Sequence, residues 1–112
     1  MKEIVILITS SSKEEAKKLT RVLIEEKLAA CVNILSGVES LYWWKGKIES
    51  SKEWMLVVKT LGKMANKIVK RVKEIHSYEI PEVIALPIVQ GNKDYLQWIS
   101  DALTLRKKKG DL

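Results

Sequence analysis

The chain has 112 residues, 46% of them hydrophobic and 30% charged, which suits a single globular domain and excludes a disordered segment or a two-domain protein. No apolar run approaches the roughly 18 residues of a membrane span, and a lone cysteine, Cys31, excludes an internal disulfide and points to a cytoplasmic setting. The net charge of +6 allows an acidic partner, although part of the excess lies in a basic tail over residues 106–112, read as a solvated appendage to one domain over residues 1–105.

The start, MKEIVILITSSS, is basic and then apolar, but it carries Glu3 and no small-residue cleavage pattern. It reads as a strand and not as a signal peptide. The continuous β-branched run from Glu3 to Thr9 is the pattern of a strand buried in the middle of a sheet. Ser12 followed by Glu15 is a capping box, and Ala16, Leu19 and Leu23 then recur at helical spacing, so the first helix begins there. CVNILSG and VESLYWW form a second extended run with a bulge or bend at Ser36-Gly37. Lys45-Gly46 is a tight turn, and KIESSKEWMLVVKT returns as a third strand. A two-residue turn sets Trp43 against Ile48, Tyr42 against Glu49, and Glu39 against Lys52, an opposite-charge pair that supports this register. Leu61, Met64, Ile68, Val72 and Ile75 predict a second amphipathic helix with a lysine-rich outer face. SYEIPE breaks it. Val83 to Val89 predicts a fourth strand, which Pro87 confines to an edge or a bulge. A final short helix turns Tyr95, Trp98, Ile99 and Ala102 inward.

The order β-α-β-β-α-β plus a C-terminal helix predicts an α+β, ferredoxin-like split β-α-β sandwich. Its antiparallel sheet has the order 4-1-3-2, with both long helices on one face. From Cys31 to Lys45 the second strand reaches roughly 46 Å if straight, whereas a compact domain of this length is roughly 35 Å across. The hairpin therefore bends hard or projects. A projecting ribbon with Leu41 and Trp43 on one face and Tyr42 and Trp44 on the other needs a cover, and another copy of the chain supplies it most simply. A stacking platform for nucleic-acid bases is disfavoured, because Glu39, Glu49 and Glu53 interleave the aromatics and repel phosphates.

Few side chains carry chemistry. His76, the only histidine, gathers with Tyr78, Glu79 and the Thr9–Ser12 loop at the hairpin end of the sheet. Imidazole suits copper or zinc; the alternative is a structural hydrogen bond at a helix end. Glu49 and Glu53 share a strand face and could help to hold a cation, or make solvated or inter-subunit ion pairs. Cys31 lies at the opposite end of the sheet from His76, which disfavours a Cys–His dyad within one chain. It is a buried small hydrophobe or a soft-metal ligand. TLGKM hints at a phosphate loop, but Val57 stands at the leading glycine position and Met64 at the metal-binding hydroxyl, so it is rejected. No zinc-binding cysteine pattern and no catalytic triad is present.

LAACVNI, SLYWWKGKIE with KEWMLVVKT, HSYEIPEVIALPI and DYLQWI together resemble the CutA divalent-cation-tolerance family, in order and at matching separations over nearly the whole chain. The resemblance implies a compact homotrimer whose long hairpins pair between subunits, with no enzymatic reaction and a link to tolerance of copper and other divalent metals. His76, Cys31, Glu49 and Glu53, the metal candidates by their own chemistry, permit that reading, with weakly bound Cu2+ or another divalent cation as the ligand. Tyr42, Trp43 and Trp44 become the interface candidates. Some members carry a cysteine in the first strand and a second histidine beside the one matching His76; here those positions are Ile8 and Ile75, and Ser77 stands where proline is common. The architecture also resembles the PII signalling trimers. A second reading follows: a regulatory module binding a small anionic ligand between subunits, with Tyr78, Glu79 and Lys59 lining the cleft.

Overall fold

Alternating burial along the first strand sets the layers of the molecule. In a computed structural model, which describes residues 2–104, β1 (Glu3–Ser10) turns Ile4, Ile6 and Ile8 into the core and leaves Val5 and Leu7 half-buried on the other side. It pairs antiparallel with β3 (Lys47–Leu61) and with β4 (Val83–Pro87). β2 (Cys31–Trp44) closes the four-stranded sheet in the order β2-β3-β1-β4. This is the expected ferredoxin-like order, with β1 inside and the proline-bearing strand at an edge. The basic tail lies outside the described residues.

Helix α1 (Lys13–Glu25) starts where Ser12 caps it, its side chain accepting the Glu15 amide at 3.1 Å. Its Ala16, Leu19 and Leu23 are fully buried against Ile6, Ile8, Leu56 and Val58 of the sheet, together with Ile68 and Val72 of α2 (Ala65–Ile75). Burying each such aliphatic side chain contributes on the order of 2 kcal/mol. The second helix starts later than its periodicity predicts. Leu61 closes β3, and Gly62–Met64 form a single 3-10 turn before α2 begins. Leu61 keeps the helical spacing, yet the backbone stays in the ladder because Glu3 pairs with it and the Gly62 amide donates to the Lys2 carbonyl at 2.7 Å. β4 likewise ends at Pro87 and not at Val89, although the Ile88 amide still donates to the Glu3 carbonyl at 3.3 Å. Helix α3 (Lys93–Leu103), capped by Asn92, buries Ile99 and Leu103 against Leu61 in a smaller second cluster; Ala102 is only half-buried.

The hairpin pairs as its sequence predicts, with Trp43 opposite Ile48, Tyr42 opposite Glu49 and Glu39 opposite Lys52. A bulge falls between Leu35 and Val38, where Gly37 takes φ 76. Lys45 and Gly46 turn the chain with φ 52 and 77. The ribbon projects beyond the body, and the molecule measures 50 × 26 × 24 Å. Both long helices cover one face of the sheet. On the opposite face α3 packs at the Leu61 end, and elsewhere on it Leu35, Ile84 and Leu86 are 46%, 48% and 46% exposed.

Candidate functional site

Where β1 ends, three elements converge: the start of α1, the end of α2 and the base of the projecting hairpin. His76 is the C-cap of α2, its amide bonded to the Val72 carbonyl at 2.8 Å. Its side chain is fully buried. Thr9 offers only a carbonyl, so Nε2 donates to it at 2.7 Å, while Nδ1 accepts the Tyr78 amide at 2.9 Å. These two partners select the neutral Nε2-protonated tautomer. Both nitrogens are thereby engaged, and a metal ion could reach this ring only by displacing a backbone partner.

Glu15 is the hub beside it. Its carboxylate accepts the Ser10 hydroxyl at 2.8 Å, the Ser11 amide at 3.1 Å, the Ser11 hydroxyl at 3.2 Å and the Ser77 amide at 2.6 Å. Burial alone raises the pKa of this carboxyl, but the Ser77, Ser10 and Ser11 donors outweigh it and hold the group at about 2. The capping box is thus half formed. Ser12 caps the Glu15 amide, yet Glu15 reaches past Ser12 to tie the α1 start to the loop after α2. The S-x-x-E spacing signals the cap and is silent on this bridge, since Ser77 is distant in sequence.

Glu53 forms the second half of the site. It is buried at 7% exposure and accepts the Tyr78 hydroxyl at 2.7 Å and the Ser40 hydroxyl at 2.6 Å. Burial first, and then the Glu53 carboxylate, push the Tyr78 phenol upward, so it stays protonated and donates. Tyr78 thus locks the loop after α2 onto the hairpin base, and Ser40 carries the bond across to β2. Ser51, two residues along β3 from Glu53, has a buried hydroxyl without a partner.

The other candidates lie apart. Glu49 is exposed on the hairpin, about 13 Å from Glu53 along the strand. Cys31 and Lys59 face each other across β2 and β3 at the far end of the sheet, where Lys59 bonds Asn33. Burial, and then the Cys31 thiol, raise the pKa of the Tyr95 phenol there. Glu79 lines a surface hollow of about 200 Å³ with Val69, Lys73 and Ile80. Within one chain, Tyr78, Glu79 and Lys59 therefore do not line one cleft. Among the described residues no group of three or more His, Cys, Asp and Glu side chains is gathered as metal ligands. The oxygen donors around Glu53 suit a hard cation better than copper. The hairpin tip is open, with Tyr42, Trp43 and Trp44 at 42%, 73% and 51% exposure.

The sequence profile of the CutA1 divalent ion tolerance protein matches residues 4–102. The chain is 46% identical over 99 residues to the chloroplastic CutA 1 protein of Oryza sativa, covering 88% of this chain and 56% of that one. It is also 46% identical over 99 residues to the divalent-cation tolerance protein CutA of Thermus thermophilus, covering 88% of this chain and 96% of that one. The chain thus spans little more than half the length of the plant relative. The crystal structure of Oryza sativa CutA1 superposes with a TM-score of 0.90 at 43% identity, over 95% of this chain and 97% of that one.

Proposed function

The chain belongs to the CutA1 divalent ion tolerance protein family, and from that premise we propose that it serves divalent-cation tolerance as a homotrimer without catalytic turnover. The family match carries the cation half of this reading. In support of assembly, the hairpin offers apolar residues on both faces, and the sheet face away from α1 and α2 leaves Leu35, Ile84 and Leu86 about half exposed. The cation, Cu2+ or another divalent ion, binds weakly and displaces something to do so, because His76 already has two backbone partners. Glu53 and Glu49 give a hard-cation alternative to His76 and Cys31. The setting is cytoplasmic by the single-cysteine argument, and no described helix is long and apolar enough to cross a membrane. No observation favours the reading of an anionic ligand held between subunits by Tyr78, Glu79 and Lys59 over the cation reading.

Calorimetric titration with Cu2+ and with Mg2+ tests the cation half on wild type, His76→Asn and Glu53→Gln. Saturable binding weakened in either variant supports it. Absence of saturable heat with both ions removes metal binding by this chain. Light scattering coupled to size exclusion tests assembly: the expected mass is three times that of the 12.8 kDa chain, and a monomer at micromolar concentration overturns it.

A further inference from the structure

Between Gly62 and Ile75 the chain carries five cations, Lys63, Lys67, Lys70, Arg71 and Lys73, against one acid, Glu74. Arg71 is already neutralised, bonded to Glu26 of α1 at 2.9 Å and to Glu74 at 3.2 Å. The four lysines are exposed, and none of them pairs with a carboxylate among the described residues. Lys63, Lys67 and Lys70 recur at helical spacing and Lys73 follows three residues on, so they form one ridge on the outer side of α2. Unlike α1 and α3, α2 begins with no acidic residue in its first turn and no side-chain cap. The positive end of its own dipole therefore adds to the ridge.

An apolar floor lies beside these charges. Lys70 and Lys73 line a hollow of about 380 Å³ with Asn66, Val69 and Glu74. The smaller hollow at Glu79 shares Val69 and Lys73 with it and adds Ile80, Pro81 and Val83. The two make one groove, from the outer side of α2 to the loop before β4.

We propose that this groove binds a short acidic segment of another protein. Its carboxylates meet Lys67, Lys70 and Lys73, and one aliphatic side chain sits between Val69, Ile80 and Pro81. An aliphatic floor beside a row of ammonium groups complements a peptide that carries both kinds of side chain. Nucleic acid fits less well. No aromatic side chain among the described residues lines the groove to stack a base, and Glu74 and Glu79 repel a continuous row of phosphates. A second copy also fits less well, since the chain carries a net charge of +6 and like charges repel. This role stands apart from cation tolerance and uses neither His76 nor Glu53.

Fluorescence anisotropy of a labelled hexapeptide, Glu-Asp-Glu-Leu-Glu-Asp, tests the groove. Binding to the whole chain should be saturable and should weaken with added salt. Lys70→Glu with Lys73→Glu should weaken it at least about tenfold. Lys17→Glu with Lys93→Glu, an equal change in net charge away from the groove, should leave it within about twofold at about 0.15 M salt. Alanine in place of the peptide's leucine should weaken it about fivefold. Circular dichroism establishes that each variant is folded. If the groove reversal does not fold, Lys70→Gln with Lys73→Gln replaces it and should weaken binding at least about threefold. Absence of saturable binding up to millimolar peptide overturns the proposal. Equal weakening by the two pairs of reversals reduces it to diffuse attraction and overturns it. Equal binding of the leucine and alanine peptides, or equal competition by single-stranded DNA, makes the ridge a general polyanion surface and also overturns it. A fall in light-scattering mass for Lys70→Glu with Lys73→Glu assigns the groove to a contact between copies and likewise overturns it.

Discussion

Glu15 shows how one side chain can serve two elements. Its carboxyl sits at about 2 against an ordinary 4.5, so the folded state gains from it above about pH 4.5, where the unfolded carboxyl is ionised. That gain disappears as pH falls through the folded value near 2. The gap corresponds to about 3 kcal/mol at most. Glu15→Gln keeps an acceptor but loses the charge. We expect it to be about 2 kcal/mol less stable than wild type in urea unfolding at pH 7, with the difference closing by pH 2. A pH-independent difference would mean that packing, and not the ionised hydrogen bonds, is what Glu15 supplies. Tyr78→Phe removes the donor from a buried carboxylate and should cost about 1–3 kcal/mol in the same assay. Neither effect is legible from the sequence, because it is the turn after α2 that brings Ser77 to Glu15 and Tyr78 to Glu53.

At the scale of elements, the hairpin turn is the place where local chemistry is least favourable. Both central residues have positive φ, 52 at Lys45 and 77 at Gly46. Two-residue hairpins with this backbone favour Asn-Gly, and lysine in the left-handed region costs roughly 1 kcal/mol. Lys45→Asn should therefore stabilise the ribbon by about 0.5–1 kcal/mol, read as slower amide exchange at Trp44 and Lys47. Faster exchange would show that the Lys45 ammonium near the Trp44 ring, 5.8 Å from its centroid, outweighs the backbone preference. The core face of α2 behaves in the opposite way. Ile68 is fully buried between α1 and the sheet, and Ile68→Ala should cost about 2–5 kcal/mol in denaturant unfolding.

Over the whole molecule, the dominant fact is surface that one chain cannot cover. Trp43 at 73% and Trp44 at 51% exposure sit on a ribbon that projects from a body only 26 × 24 Å in cross-section. Trp43→Glu or Trp44→Glu should shift the light-scattering mass from assembled toward single chains, by placing a charge where apolar contact is required. Lys70→Glu on the outer side of α2 should leave the mass unchanged. Equal effects from the three substitutions would take the hairpin out of the interface.

Period and punctuation made the architecture readable. β-branched runs, two amphipathic stripes and a Lys-Gly turn determine the element order, and the closeness of helix and strand in chain order leaves few sheet topologies. The hairpin register was legible only on condition of a two-residue turn at Lys45-Gly46, with Glu39 opposite Lys52 in its favour; the strand pairing fixes it. The boundary at Leu61 did not follow, because a strand and a helix both bury that side chain and only the pairing with Glu3 decides between them. The candidate site was half legible: His76, Tyr78 and Glu53 were recognisable by residue type. Their roles were not, because a hydrogen-bond partner such as the Thr9 carbonyl or the Ser77 amide has no sequence signature. Burial of Glu53 and exposure of Trp43 likewise come from where the end of β1 leaves the sheet. That is a property of three strands and a loop in space, which no local stretch of sequence contains.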